Sequence, residues 1–262
     1  MQSQKKYKRI VIKIGSSVFA NGKKNPDTAL LKGMGGQFAG LIKKGHEIIL
    51  VSSGAIALGM SILKLSSRPK ELRYLQATAA IGQHELMHVY HRSLDKYGIN
   101  CAQLLLTWED FSDRRYINAK HTLNTLLQLK CVPIINENDT VATEEIKFGD
   151  NDKLCALVSI MVEADLLIIL SDVDGLLDGD KKVIRLVEKI TPKISSYACP
   201  TKAKTCVGGM ITKIDAAHTS VNAGIPCVIA NGSRKGIIER LAKDPFSCGT
   251  IFTPKIDNET NS

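Results

Sequence analysis

The sequence is poor in several things that would assign it quickly. It has one tryptophan among 262 residues and only 5 % aromatic residues. No stripe of Lys and Arg interleaved with aromatics runs along any segment, which argues against a nucleic-acid-binding module despite a net charge of +9. No run reaches eighteen apolar residues, so no membrane-spanning helix is expected. The N-terminal stretch "MQSQKKYKRIVIKIG" has lysines but neither an apolar core nor a small-residue cleavage site, so it reads as a polar lead into a strand with no export signal. Seven cysteines (Cys101, Cys131, Cys155, Cys199, Cys206, Cys227 and Cys248) make an odd number without a single C-x-x-C pair. Mostly set in apolar runs, they point to reduced thiols in a cytoplasmic protein and against a disulfide framework or a structural zinc site. The P-loop pattern G-x-x-x-x-G-K-[ST] is missing, and "GMGGQF" is not G-x-G-x-x-G.

What is present is alternation. Apolar strand-like runs ("RIVIKIG", "EIILVSSG", "CAQLLLT", "CVPIINEND", "DLLIILSD", "IPCVIANG", "GTIFT") alternate with amphipathic helix-like stretches. The helical stretches include "DTALLKGMGGQFAGLIKKG", a long one over residues 71–97, "YINAKHTLNTLLQLK", "NDKLCALVSIMVEA" and "GMITKIDAAHTSVNAG". Several strands are nearly continuous in Val, Ile and Leu, as in parallel strands covered on both faces. The fold class expected is α/β, a three-layer αβα sandwich around a mainly parallel open sheet. "TEEIKFG" is expected to make a short antiparallel excursion, and "GLLDGDKKVIRLV" a hairpin turning at Asp178–Asp180. One domain over residues 1–255 with a flexible tail at 256–262 is the expected organisation.

Ligands of open α/β sheets lie beyond the carboxyl ends of the strands. Small and polar residues gather there repeatedly. Lys13, Gly15, Ser16 and Ser17 follow the first strand, and Ser52, Ser53 and Gly54 the second. Asn136, Glu137, Asn138 and Asp139 follow "CVPII", Ser171, Asp172 and Asp174 follow "DLLIIL", and Gly208 and Gly209 precede Lys213 by one helical turn. Glycine turns that open helices offer free backbone N–H groups to an anion, and lysines add point charges. Singly each turn is an ordinary tight connection; together with Lys13 and Lys213 they indicate phosphate binding. The densest cluster, "INENDTVATEEIKFGDNDK" (135–153), mixes amide donors with carboxylate acceptors, which suits an amino acid. The plain alternative is a polar turn in which Asp150 or Asn151 caps the following helix.

A competing pattern is "IGQHELMHVYH" (81–91), where His84, Glu85 and His88 spell H-E-x-x-H, the zinc-peptidase helix signature. A catalytic zinc needs a third protein ligand. The extended signature fails here, with His91 in its glycine position and Leu94 in its last histidine position, and Glu109 follows a strand without a helix to present it. The bland expectation is a solvated helix face with Leu86 and Val89 turned inward.

At these residues the chain resembles the glutamate-phosphorylating members of the amino acid kinase family. The matching segments, in order, are "VIKIGSSV", "VSSGAIALG", "QATAAIGQ", "AQLLLT", "NAKHTL", "VPIINENDTVATEEIKFGDNDKLCA", "ILSDVDGL", "GGMITKIDAA" and "AGIPCVIANG". The resemblance implies transfer of the γ-phosphoryl group of ATP to the side-chain carboxylate of L-glutamate, the first step of proline biosynthesis. It implies catalytic roles for Lys13, Lys213 and Asp152, and glutamate binding by Ser53, Asp139, Asn151 and Asn136 in the N-terminal part. It implies nucleotide binding in the C-terminal part by Lys13, Gly15, Ser171, Asp172, Val207, Gly208, Gly209, Met210, Ile211, Thr212 and Lys213. Mg²⁺ is expected to arrive on the ATP phosphates, with no protein ligand. The resemblance further implies a homo-oligomer, proline as feedback inhibitor, a downstream glutamyl phosphate reductase, and a bearing of Arg114 and Arg115 on subunit contacts and inhibition. Members often carry an additional C-terminal RNA-binding-like (PUA) domain, for which this sequence is expected to be too short. Where members usually read G-T-G-G-M, this chain has Cys206-Val207-Gly208-Gly209-Met210, and Ser171 replaces a usual threonine. Acetylglutamate and carbamate kinases share the fold and remain alternatives, disfavoured by "INEND…GDND"; the zinc peptidase and the nucleic-acid module are alternatives of other classes.

Overall fold

The computed structural model describes residues 7–20, 28–141, 151–198 and 209–255. Among these residues eight strands form one sheet: β1 (Arg9–Ile14), β2 (Glu47–Ser52), β3 (Cys101–Leu106), β4 (Val132–Glu137), β5 (Leu166–Ser171), β6 (Leu186–Val187), β7 (Cys227–Asn231) and β8 (Thr250–Phe252). Their spatial order is β3-β4-β2-β1-β5-β7-β8-β6. Among the described residues every pairing of these strands is parallel except β7 with β8. The expected mainly parallel open sheet is therefore observed.

Period-two alternation sends the two sides of each strand into two different cores. On one face Ile10, Ile12 and Ile14 of β1, Ile48 and Leu50 of β2, and Leu166, Ile168 and Leu170 of β5 are buried together. Helices α2 (Thr28–Lys43), α3 (Ala55–Ile62), α4 (Leu72–Asp95) and α9 (Ile237–Lys243) cover them, together with Val18. On the other face Val11, Ile49, Val51, Leu167 and Ile169 pack under α5 (Asp113–Gln128), α6 (Asp152–Met161) and α8 (Met210–Asn222). Each fully buried aliphatic side chain contributes about 1.5–3 kcal/mol, and both faces are continuous. The same alternation decides the site. Lys13 shares a side of β1 with Val11, so its ammonium lies on the face of α6 and α8.

Two short helices, α1 (Ser16–Ala20) and α7 (Pro192–Ser196), and a 3₁₀ turn at Trp108–Phe111 complete the described elements. These three and α9 were not anticipated, because one or two turns of helix carry too little periodicity to register in sequence. The expected hairpin is present but short. A turn does form where Asp178 Oδ1 accepts from the N–H groups of Asp180 and Lys182, but it is closed by a single antiparallel bridge between Leu177 and Val183. The chain then runs on as β6, parallel to β8. The antiparallel excursion "TEEIKFG" and the tail at 256–262 lie outside the described residues.

The helices α3 and α4 cross backbone to backbone. A Cβ at Gly82 would lie 1.8 Å from the Ala55 carbonyl oxygen, and one at Gly59 would lie 1.9 Å from that of Thr78. Only glycine permits this approach, and it fixes the start of α3 against the sheet.

Candidate active site

At the carboxyl end of β1, Lys13 is 4 % exposed. Its Nζ lies 2.5 Å from Asp152 Oδ1, and Lys213 Nζ, from the first turn of α8, lies 3.1 Å from Asp152 Oδ2. Thr212 Oγ1 donates to the same Oδ2 at 2.9 Å. Asp152 opens α6 and is completely buried. These three charged groups sum to one positive charge, with both lysines held in place by one carboxylate. Such an arrangement leaves Asp152 engaged on both oxygens and presents a surplus cation to an anionic ligand.

Beside it lies a cavity of about 150 Å³ lined by Ser53, Asn136, Glu137, Asp139, Asn151 and Arg68, with the first turn of α3 as its apolar side. Asn151 stands at the N-cap position of α6 yet makes no side-chain capping hydrogen bond. Its Nδ2 donates instead to Ser52 O at 3.1 Å, Ser53 Oγ at 3.1 Å and Asn136 Oδ1 at 2.7 Å. Simple capping by Asn151 is thereby set aside, while Asp150 lies outside the described residues. Asn136 Oδ1 also accepts from the Glu137 N–H at 2.9 Å, and Asn136 Nδ2 donates to Gln83 Oε1 at 2.9 Å. Burial raises the Asp139 carboxyl to about 6, partly opposed by the Arg68 charge.

The nucleotide-side candidates meet at the ends of β5 and the start of α8. Ser171 Oγ donates to Asp172 Oδ1 at 2.9 Å. Burial alone would raise the Asp172 carboxyl. Hydrogen bonds from Ser171, from its own backbone and from Ser17, with the Lys213 charge, outweigh burial and hold it below the usual range. Gly15 sits between the two regions, its N–H donating to Leu170 O at 3.1 Å. Gly209 precedes α8 with φ 92°, a conformation that side chains rarely adopt, and its carbonyl accepts from Thr212 and Lys213. Met210 is half-buried against the core under α6 and α8, so its backbone rather than its side chain is at hand for a ligand. Ile211 lies beside it, half-buried. Val207 and Gly208, like the departure at Cys206-Val207, lie outside the described residues.

Two participants were missed in the sequence: Gln83, which orients Asn136, and Arg68, which joins the cavity wall, whereas Ser17, already placed after the first strand, supports Asp172. Only Gln83 had a usable signal, as the polar residue after the glycine at the α3–α4 crossing. His84 is exposed and His88 half-exposed, while Leu86 and Val89 are buried as expected. Among the described residues no group of three or more His, Cys, Asp or Glu converges as for a metal ion. Arg114 and Arg115 are exposed, Arg115 pairing with Glu109 at 2.9 Å. No helix among the described residues is long and apolar enough to cross a membrane.

Two lysines tethered to one carboxylate, beside a small polar cavity at the carboxyl end of a parallel sheet, suit an anionic phosphoryl group and a small polar acceptor. Residues 8–231 match the amino acid kinase family. The chain is 49 % identical over 255 residues to the glutamate 5-kinase of Caldanaerobacter subterraneus, covering 94 % of this chain and 68 % of that protein. It is 42 % identical over 257 residues to that of Geobacter metallireducens, covering 95 % and 69 %. The carbamate kinase of Giardia lamblia, solved with AMP-PNP, superposes with a TM-score of 0.65 at 17 % identity, covering 95 % of this chain and 99 % of the other. The chain belongs to the amino acid kinase family, within its glutamate 5-kinase group.

Proposed function

We propose that this enzyme transfers the γ-phosphoryl group of ATP to the side-chain carboxylate of L-glutamate, giving L-glutamyl 5-phosphate. The observation that carries the reading is the Lys13–Asp152–Lys213 cluster beside a cavity walled by Asp139, Glu137 and two amides. A glutamate carboxylate, with a reference pKa of about 4.3, is ionised at neutral pH and needs no general base. One of its oxygens bonds to the γ-phosphorus as the bond from that phosphorus to the β,γ-bridging oxygen breaks, and the electron pair leaves with ADP. The chain's task is alignment and relief of negative charge.

In this reading Ser53, Asn136, Asp139 and Asn151 hold glutamate in the N-terminal part of the domain. Gly15, Ser171, Asp172 and the turn of residues 207–213 hold ATP in the C-terminal part. Lys13 and Lys213 flank the transferred phosphoryl group, and Asp152 keeps both ammonium groups aimed. Mg²⁺ enters as part of the substrate MgATP. Both Asp152 oxygens already face lysines, so that carboxylate is not a ligand for it. The carboxylates Glu137 and Asp139 suit a free ammonium group, which L-glutamate has and N-acetylglutamate and carbamate lack. The same reading includes a cytoplasmic homo-oligomer, a reductase that consumes the labile acyl phosphate, and inhibition by proline.

The test is ATP consumption with Mg²⁺ in the presence of hydroxylamine, which traps acyl phosphates as hydroxamates. L-Glutamate, N-acetylglutamate, carbamate and UMP are compared as acceptors. Hydroxamate from L-glutamate alone is expected. Preferential turnover of another acceptor would overturn the assignment of Asp139 and Asn151.

A further inference from the structure

The glutamate reading leaves one end of the substrate without a partner. A free α-amino acid presents an ammonium and a carboxylate on the same carbon. The cavity supplies acceptors for the first in Asp139 and Glu137. Donors for the second are scarcer than the two asparagines suggest. The Glu137 backbone N–H can only donate, so the Asn136 atom it meets at 2.9 Å must be Oδ1. The Asn151 atom 2.7 Å from that oxygen must then be Nδ2, and the Gln83 atom facing Asn136 Nδ2 must be Oε1. Asn151 Nδ2 also serves Ser52 O and Ser53 Oγ. Asn151 Nδ2 thus already shares its two hydrogens among three protein acceptors, and Asn136 Nδ2 has given one of its two to Gln83, which leaves few amide donors for a carboxylate.

Among the described residues lining the cavity, one side chain is cationic: Arg68, on the exposed loop between α3 and α4. Its charge acts on Asp139 across the same cavity. An Arg⁺ beside an Asp⁻ is the charge complement of an α-ammonium beside an α-carboxylate. A guanidinium can also grip a carboxylate with two parallel hydrogen bonds.

We propose that Arg68 is the residue that recognises the α-carboxylate of the amino-acid substrate, so that Arg68 and Asp139 together read its zwitterionic end while the side-chain carboxylate points toward Lys13. This rests on the glutamate-kinase reading of the site.

The test is a cycle of two substrates and two enzymes. L-Glutamate and its α-amide, which keeps the ammonium and the reactive carboxylate, are assayed by hydroxamate formation with wild type, Arg68→Gln and Arg68→Lys. Losing one charged hydrogen-bonded contact is expected to lower wild-type kcat/KM about thirtyfold on going to the α-amide. Arg68→Gln should lower kcat/KM for L-glutamate by a similar factor, mainly through KM, and change that for the α-amide by no more than about threefold. Arg68→Lys should recover part of the loss with L-glutamate. Because Arg68 is exposed, the three thermal midpoints should lie within about 3 °C of one another. Equal losses with both substrates, or none with either, would overturn the Arg68 assignment and leave the α-carboxylate to the N–H groups at the start of α3. Absence of any hydroxamate from wild type and L-glutamate would overturn the kinase reading, and this inference with it.

Discussion

Asp152→Asn removes the carboxylate between two buried lysines and keeps its shape. In the native protein the three charges sum to +1; in the variant two ammonium groups face each other with +2 and no counter-ion. At an effective dielectric of about 20, contacts of 2.5 Å and 3.1 Å each carry roughly 5–7 kcal/mol of gross attraction. Desolvation of several kcal/mol per ion offsets most of it, and stripping one partner from such a buried cluster costs about 3–5 kcal/mol net. For a chain of this size that corresponds to a fall in Tm on the order of 10 °C. Lys13→Met should cost less, since it leaves the neutral pair Asp152 and Lys213. Catalysis should suffer separately, because both lysines lose their aim: kcat is expected to fall at least about a hundredfold. Thermal unfolding followed by far-UV circular dichroism, with hydroxamate assays on the same preparations, reads both. An Asp152→Asn protein with an unchanged midpoint and a kcat within about threefold of wild type would refute the reasoning.

Asp139 gives a pH signature. Its carboxyl is raised from 3.8 to about 6 by burial, so the folded state holds this proton more tightly than the unfolded one. Its contribution to stability is therefore present below about pH 4, falls as pH rises to about 6, and is a constant cost of up to about 3 kcal/mol above that. Asp139→Asn should raise Tm at pH 8 while raising KM for glutamate at least about tenfold; wild-type KM should also climb as pH drops below 6 and the carboxylate protonates. Gly82→Ala should force α3 away from α4, because the new methyl would sit 1.8 Å from Ala55 O, costing about 2 kcal/mol or more. Since Ala55, Ile56 and Ala57 line the cavity, KM for glutamate should rise with little change in KM for ATP. Gln83→Leu leaves Asn136 Nδ2 without its acceptor, and should cost about 1–3 kcal/mol and raise KM for glutamate. Thermal melts and separate glutamate and ATP titrations check both variants.

The strands were legible because buried parallel strands announce themselves as runs of Val, Ile and Leu, and β1, β2, β5 and β7 are such runs. The long helices were legible from their apolar period. The site was legible in part as residue types at strand ends, since Lys13, Asn136 and Ser171 lie at the ends of apolar runs, while Asp152, at the start of α6, was reached only through the resemblance. What sequence did not carry was the wiring. That Asn151 turns its amide toward Ser52 and Asn136 instead of capping α6 depends on three segments meeting in space. Gln83 reaches Asn136 across 53 positions of chain. The short hairpin at Asp178–Asp180 was legible from its turn residues; that the chain beyond it, at Leu186 and Val187, pairs in parallel with β8 was not.

The measurement that bears most directly on the central claim is the fate of an oxygen atom. L-Glutamate labelled with ¹⁸O in both side-chain carboxylate oxygens is incubated with enzyme, MgATP and hydroxylamine, and the released phosphate is read by ³¹P NMR. If that carboxylate attacks the γ-phosphorus, its oxygen bridges carbon and phosphorus; hydroxylamine then attacks the carbonyl carbon and expels phosphate carrying that ¹⁸O. One label per phosphate released is expected. Unlabelled phosphate at the same rate would mean that water, not the glutamate carboxylate, takes the phosphoryl group, and would contradict the account.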